Sequence, residues 1–462
     1  VADPRSRGRR PSGPTSGGHP PKPRPAADPA RLAAYDVMTA VRVDGAYTNL
    51  LLPQVLRKYD LSGRDAGFVT ELVSGTIRRQ GTYDVIIGAC ADRPQMKIEA
   101  KVLDALRLGV HQLLAMRVPP HAAISTTVTL VRSTVGQGPA GFTNAVLRRV
   151  SEKPLEEWIR LLAPTKVHEF AAFAHSHPLW VVDALAEALA ATKPVDMRAE
   201  LDALLAADNA APKVMLVARP GLASIDELVT AGGEPTGRSP YAVELAGGDP
   251  SGITAVAEGR AGVQDEGSQR VALALAAAAV EGRDERWLDL CSGPGGKTAL
   301  LAALAAEQGA VVVANERQHH RARLVVEGTR AATAGLAGVI TGDGTRPAWA
   351  PGSFDRILVD APCSGLGALR RRPEARWRKT PAEIDALVPL QRQLLGTALD
   401  SVRLGGVVVY ATCSPVLAET RHVVEAVLAE RDDVVLEQTE QLWPHRDGCD
   451  AMYFAVLRRS TS

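Results

Sequence analysis

Two segments of the chain carry a cysteine between small polar residues and proline, Asp360-Ala361-Pro362-Cys363-Ser364-Gly365 and Tyr410-Ala411-Thr412-Cys413-Ser414-Pro415. Each closes an apolar run, Phe354 to Asp360 and Val407 to Thr412, that reads as a strand. A thiolate is a strong nucleophile, and neighbouring strand ends of one sheet would put both thiols in the same crevice. Most cysteines are inert small hydrophobes, the reading given to Cys90 in its apolar helical stretch. Polar, Pro-flanked strand ends do not fit that role. A metal site is not expected, because neither Cys363, Cys413 and His319-His320 nor Cys449 with His445 has zinc-ligand spacing.

A second constellation is the glycine loop Asp289-Leu290-Cys291-Ser292-Gly293-Pro294-Gly295-Gly296-Lys297-Thr298, set between a short apolar run and an Ala/Leu-rich helical pattern. Glycines there allow a sharp turn and close approach to a ligand. Three ligands compete. A P-loop would use Gly296-Lys297-Thr298 and the acidic end of the ILVD run at Asp360, but its first glycine falls on Cys291. A dinucleotide loop starting at Gly293 and Gly295 has Thr298 where a third glycine or alanine belongs. A nucleoside sulfonium, S-adenosylmethionine, asks for this loop and a carboxylate after the second strand to hold the ribose, and Glu316 stands there.

These residues need elements to hold them. Residues 1–29 are rich in Pro, Gly, Ser and Arg, with six basic residues against two Asp, and are expected to be a disordered basic tail. Residues 30–165 show helical periodicity (Leu32, Tyr35, Met38, Val41) and few strand signals, which predicts an all-α domain. Residues 166–255 read as a small mixed subdomain with a strand at Val214 to Ala218. From 256 to 462 lies the catalytic region. There the runs Trp287 to Cys291, Val311 to Asn315, Val339 to Thr341, Phe354 to Asp360 and Val407 to Thr412 alternate with helical stretches, predicting an α/β, Rossmann-like, doubly wound parallel sheet. Ligands of such sheets sit beyond the strands' carboxyl ends, where both constellations fall.

Lys and Arg number 53 against 52 Asp and Glu, a net charge of +1, so nucleic acid would have to be held by local patches. One candidate is Arg370, Arg371, Arg372, Arg376, Arg378 and Lys379 around Trp377, opposed by Glu374 alone. Aromatic residues make up 4% of the chain, which argues against an RRM-type stacking sheet. No membrane span and no secretory signal are read, and five unpatterned cysteines suit a reducing cytoplasm.

The stretches LDLCSGPGGKT, GVQDEGSQ (262–269), VDAPCSGLGALRRRPEARW and YATCSP together resemble the Sun-type RNA cytosine-C5 methyltransferases. The resemblance is nearest to the Sun/Fmu/RsmB group of bacterial 16S rRNA enzymes, whose catalytic domain follows a NusB-like helical domain, and it extends over nearly everything after residue 30. Sister families act on tRNA. Two departures stand out: Ser292 and Gly293 replace Ala-Ala in the glycine loop, and Glu419-Thr420 replaces Glu-Asn after TCSP.

The resemblance implies S-adenosylmethionine as cofactor, held by Cys291, Ser292, Gly293, Pro294, Gly295, Gly296, Lys297, Glu316, Arg321, Asp343 and Asp360. It implies Cys413 as the nucleophile that adds to C6 of cytosine, Asp360 at N3, and Cys363 in release of the adduct. RNA, small-subunit rRNA first, is the expected substrate, with no DNA and a monomeric enzyme. A P-loop nucleotidase and a non-enzymatic RNA-binding scaffold are the rival classes; the first would bind ATP with magnesium and the second neither nucleotide nor cofactor.

Overall fold

The computed structural model describes residues 27–460; the expected basic tail lies outside them, apart from its last three residues. Those three are ordered into the first helix: Pro29 opens Pro29–Val43, and the Asp28 carboxylate caps it by accepting from the Arg31 backbone N at 3.2 Å. Eight α-helices run from Pro29 to Leu162. Their apolar faces close on one another, with Tyr35, Met38, Leu72, Ile77 and Leu108 in one cluster and Tyr83, Ile86, Leu106 and Leu147 in another. The Leu32-Tyr35-Met38-Val41 stripe lies on this inner side, fully buried at Tyr35 and Met38 and partly at Leu32 and Val41.

Three further helices lead to a small antiparallel sheet of β1 (Val214–Ala218), β2 (Gly233–Pro235), β3 (Ala242–Leu245) and β4 (Ala261–Val263), ordered β2-β3-β1-β4. Because β4 pairs with β1, this small sheet takes in residues as far as Val263.

The large sheet holds β5 (Arg286–Asp289), β6 (Val311–Glu316), β7 (Leu336–Thr341), β8 (Phe354–Asp360), β9 (Val402–Thr412), β10 (Val434–Gln441) and β11 (Tyr453–Arg459), in the order β10-β11-β9-β8-β5-β6-β7. β5 to β9 are mutually parallel, with buried apolar runs in β8 and β9 at the centre and β7 more open at the edge. The expectation of a wholly parallel sheet is corrected by β11, which runs antiparallel between β9 and β10. The strand order reverses at β5, between β6 and β8. At that switch point neighbouring crossovers diverge to opposite faces, opening a crevice beyond the carboxyl ends. Asp289, Glu316, Asp360 and Thr412 are the last residues of their strands, so every candidate chemical group lies along this edge.

Candidate active site at the strand ends

The glycine loop turns from β5 into the helix Gly296–Glu307, whose Ala/Leu surface is buried from Thr298 to Ala305. Thr298 Oγ1 anchors the turn from below by donating to Asp289 Oδ2 at 2.7 Å. Burial pushes the Asp289 carboxyl up to about 7, Thr298 working against it. Gly295 has φ +109°, and a Cβ on Gly293 would meet Glu316 Oε2 at 2.2 Å, so the loop and the end of β6 fit only without side chains there. The Gly293 backbone N donates to that oxygen at 3.1 Å, and the Gln318 backbone N donates to Oε1 at 2.9 Å.

Arg321 donates to the Gly293 carbonyl at 2.6 Å and stands 3.6 Å from Glu316 Oε2, which ties loop and carboxylate together. After β7, Asp343 Oδ1 accepts from the backbone N and hydroxyl of Thr345 at 3.0 and 2.8 Å, which holds its carboxyl below the ordinary range. Two carboxylates and a tight glycine turn thus stand at three adjacent strand ends and outline a cradle. The absence of a side chain at Gly293 lets the loop backbone close directly on the Glu316 carboxylate and Arg321. This cradle could hold S-adenosylmethionine, with Glu316 accepting from ribose hydroxyls and Asp343 turned to the adenine side. Asn315, which the motif reading passed over, bridges all three strand ends: its amide donates to the Leu290 carbonyl at 3.0 Å and the Gly342 carbonyl at 3.2 Å.

The two thiols meet next to this cradle. β8 and β9 pair in register, Asp360 opposite Ala411, and the loops that follow bring Cys363 Sγ within 3.4 Å of Cys413 Sγ. Lys297 reaches across from the glycine loop to bond Asp360 Oδ2 at 2.8 Å. Burial opposes the Lys297 charge, but Asp360 outweighs it and keeps the ammonium protonated. Cys413 is held below the ordinary thiol value by the hydrogen bond from Cys363, with Lys297 and Arg372 adding to that effect and burial and Asp360 opposing it. Cys363 is pushed up by the same bond, by burial and by the charges of Cys413, Glu419 and Asp360. Burial and its acidic neighbours raise Cys291 well above the ordinary value, leaving it a neutral thiol at the cofactor loop.

The basic segment is not the phosphate-gripping patch its composition suggested. Arg370 and Arg371 are spent on Asp450 and Asp265, with contacts at 2.9 and 2.6 Å. Arg376 is fully buried and donates to the carbonyls of Arg78, Ser176 and Asp208 and to Asn209 Oδ1. Arg378 bonds the carbonyls of Val41 and Gly45 at 2.9 and 2.8 Å, and Lys379 pairs with Glu383 at 3.4 Å. Asp450 and Asp265, 80 and 106 residues away, neutralise Arg370 and Arg371, while Arg376 and Arg378 bond carbonyls of the helical segments and make this stretch part of the seam between the helical and catalytic domains. Arg372 alone of the six is exposed and has no side-chain hydrogen bond or ion pair among the described residues; its guanidinium lies 6.0 Å from the Tyr47 ring.

Glu419 was also missed as a site residue. It is buried and receives hydrogen bonds from both thiol loops, at Ser364 and Ser414. Thr420, where the related pattern has Asn, spends its hydroxyl on the Val416 carbonyl at 2.9 Å and so holds the turn after TCSP.

The architecture is that of a methyltransferase: a Rossmann-like catalytic domain with a cofactor-type loop after its first strand, preceded by a helical domain of the NusB type. The chain belongs to the 16S rRNA methyltransferase RsmB/F family, whose description matches residues 276–458, while residues 28–152 match the NusB family. A Mycobacterium tuberculosis protein named as a methyltransferase is 48% identical, with 96% of this chain and 98% of that protein covered. The ribosomal RNA small subunit methyltransferase B of Photorhabdus laumondii is 30% identical over 90% of this chain and 95% of its own length. The fold is shared with the crystal structure of PH0851, at a TM-score of 0.76 and 19% identity over 94% of this chain and all of that one. These matches set aside the P-loop nucleotidase. No helix among the described residues is long and apolar enough to cross a membrane.

Proposed function

We propose that this protein methylates C5 of a cytosine in small-subunit rRNA, using S-adenosylmethionine and a transient covalent bond between Cys413 and C6 of the base. The observation that carries this reading is the 3.4 Å contact between two thiols whose surroundings differ, one facing Lys297 and Arg372 and the other facing Glu419. Cytosine C5 is a poor nucleophile while the ring is aromatic. Attack of the Cys413 thiolate on C6 breaks the C5–C6 double bond and makes C5 electron-rich. The Asp360 carboxylate, fixed by Lys297, stabilises the proton that N3 takes up as charge moves into the ring. When bound, S-adenosylmethionine supplies an electrophilic methyl group, which C5 takes.

Once Cys413 has become a thioether, its negative charge no longer holds the proton on Cys363. Cys363 can then release its proton to solvent and, as a thiolate, take the proton leaving C5, while the C6–S bond breaks, Cys413 departs as thiolate and N3 gives back the proton it took up. The substrate base must be unstacked to reach this crevice, and Arg372 at its rim is placed to meet a flanking phosphate. The Photorhabdus relative's name supports rRNA as substrate; the shared fold of NSun6 from Pyrococcus horikoshii, solved with SFG at a TM-score of 0.50 and 16% identity over 65% of this chain and 99% of that one, is compatible with the cofactor cradle. Bisulfite sequencing of rRNA and tRNA from a deletion strain tests the assignment: one small-subunit cytosine should lose its mark, and unchanged rRNA beside a lost tRNA mark would refute it.

A further inference from the structure

Glu419 is fully buried at 0% exposure, and no Lys, Arg or His lies within ion-pair distance of it among the described residues. Four donors reach its carboxylate instead: the Ser364 backbone N at 2.7 Å, Ser364 Oγ at 2.5 Å, Ser414 Oγ at 2.7 Å and Gln391 Nε2 at 3.2 Å. A buried carboxylate without a counter-ion is costly, and a neutral amide would satisfy much of the same bonding. A packing role therefore does not explain the charge.

Its position does. The two serines directly follow the two cysteines, so one carboxylate grips the residue after Cys363 and the residue after Cys413. Gln391 extends the grip by donating also to the Pro362 carbonyl at 2.9 Å, on the other side of Cys363. The Tyr410 hydroxyl donates to the Glu419 carbonyl at 2.7 Å, which fixes the whole assembly to β9.

We propose that Glu419 is a positioning residue for the thiol pair: it sets the contact between the Cys363 and Cys413 loops and, by its uncompensated charge, confines the thiolate to Cys413. The groups facing the pair are Lys297, Asp360 and Arg372 about Cys413, and Asp360 and Glu419 about Cys363. Asp360 acts on both; beyond the hydrogen bond between the thiols, the largest influence on each, the difference in charge lies in the two cations on one side and Glu419 on the other. The same charge is among those that hold the Cys363 thiol up, after its hydrogen bond with Cys413 and burial. In turnover this division matters only under the covalent reading given above, because the wrong thiolate would put the wrong sulfur at C6. In the free protein it is measurable without that reading.

Alkylation by iodoacetamide from pH 5.5 to 9, with each thiol followed by peptide mass mapping, reads the partition in the full chain without RNA. The unaltered protein should lose Cys413 first. Glu419→Gln keeps the shape and much of the bonding but removes the charge, and the Cys363 to Cys413 rate ratio should rise about tenfold, the equivalent of one unit of relative acidity. Glu419→Asp should restore the ratio to within about threefold. In RNA methylation the Gln variant should lose kcat with little change in KM for RNA. A folded Gln variant with an unchanged ratio would overturn the proposal. Should that variant fail to fold, the double variant Ser364→Ala and Ser414→Ala loosens the clamp but keeps the charge. Cys413 should then stay the faster thiol while diamide-driven formation of a Cys363–Cys413 disulfide slows, and unchanged disulfide formation would equally overturn the clamp. An unchanged thiol ratio with normal RNA adducts counts against Glu419 alone; a shifted ratio with no adduct from any variant counts against the covalent reading alone.

Discussion

Glu374 accepts hydrogen bonds from the backbone N and the hydroxyl of Thr48, at 3.3 and 3.0 Å, across 326 residues of chain. With Arg376, Trp377 and Arg378 it makes the segment after the Cys363 loop a bolt into the helical domain, since Trp377 Nε1 also bonds the Ile77 carbonyl at 2.8 Å. Arg376→Met should therefore destabilise the protein by about 3 to 5 kcal/mol, because it leaves buried carbonyls without donors. The salt dependence of RNA binding should stay as it was. Arg372→Ala should do the reverse, leaving the melting temperature alone and reducing the log-log salt slope by about 0.7 to 0.9, one phosphate contact. Denaturant melts and titrations at several salt concentrations separate the two; a reduced slope in Arg376→Met would restore the buried arginines as RNA ligands.

The cofactor cradle gives a steric prediction. Gly293→Ala would drive a methyl group into Glu316 Oε2, so either the loop or the acid must move. S-adenosylmethionine affinity should fall about 10- to 100-fold, the worth of one or two hydrogen bonds to a charged group. Thermal stability should change less, because Gly293 is only half-buried and the strain falls on the loop. Calorimetry checks it, and unchanged affinity would place the ribose elsewhere.

What the sequence made legible follows from range. The parallel strands were readable because each is a short apolar run closed by a polar residue, and β8 occupies the residues expected of it. β10 was not, since its burial falls on Val434 at one end and its middle is exposed, an edge strand whose pairing with β11 carries the information. The arginine run was misread for the same reason. Asp450, Asp265 and Asp208 neutralise or shield it from distant segments, and a count of local charge cannot see them. Glu419 reads locally as one acid in a polar turn, and only the return of β9 beside β8 makes it the meeting point of two loops.

Asp208 supplies a pH dependence. Burial pushes its carboxyl from 3.8 up to about 7, with Arg376 and Arg370 working against the rise. Between these values the folded protein keeps a proton that the unfolded chain has shed, so this residue's contribution to stability falls as pH rises through that window. His177, kept neutral by burial, loses stability in the other direction as pH falls below 6.5. Asp208→Asn removes the first effect, and because Asp208 Oδ2 lies 3.7 Å from His177 Nε2 it changes the second only where that ring titrates, at the acid end. Its stability relative to the unaltered protein should climb from about pH 4 to about pH 7, by up to about 1.4 kcal/mol per unit, and level off beyond. Urea melts across this range test the sign, and a difference that shrinks with rising pH would show that Asp208 is ionised in the fold.

The thiol pair allows the sharpest separation of roles, because addition and release fail differently. Cys413→Ala removes the sulfur that attacks C6, so neither methylated RNA nor a covalent complex should form, while S-adenosylmethionine should still bind at the glycine loop. Cys363→Ala keeps the attacking thiol and the cations beside it, so the base should be attacked and methylated. The proton on C5 then has no acceptor, and the adduct should accumulate as a protein-RNA band that survives denaturant. Loss of Cys363 also removes the hydrogen bond that most favours the Cys413 thiolate, so adduct formation in this variant should shift to higher pH than methylation by the unaltered protein. The double variant should show no band. Trapping by Cys413→Ala with none by Cys363→Ala would mean that the two sulfurs exchange roles, and a pH profile of trapping identical to that of native methylation would mean that Cys363 does not tune its neighbour.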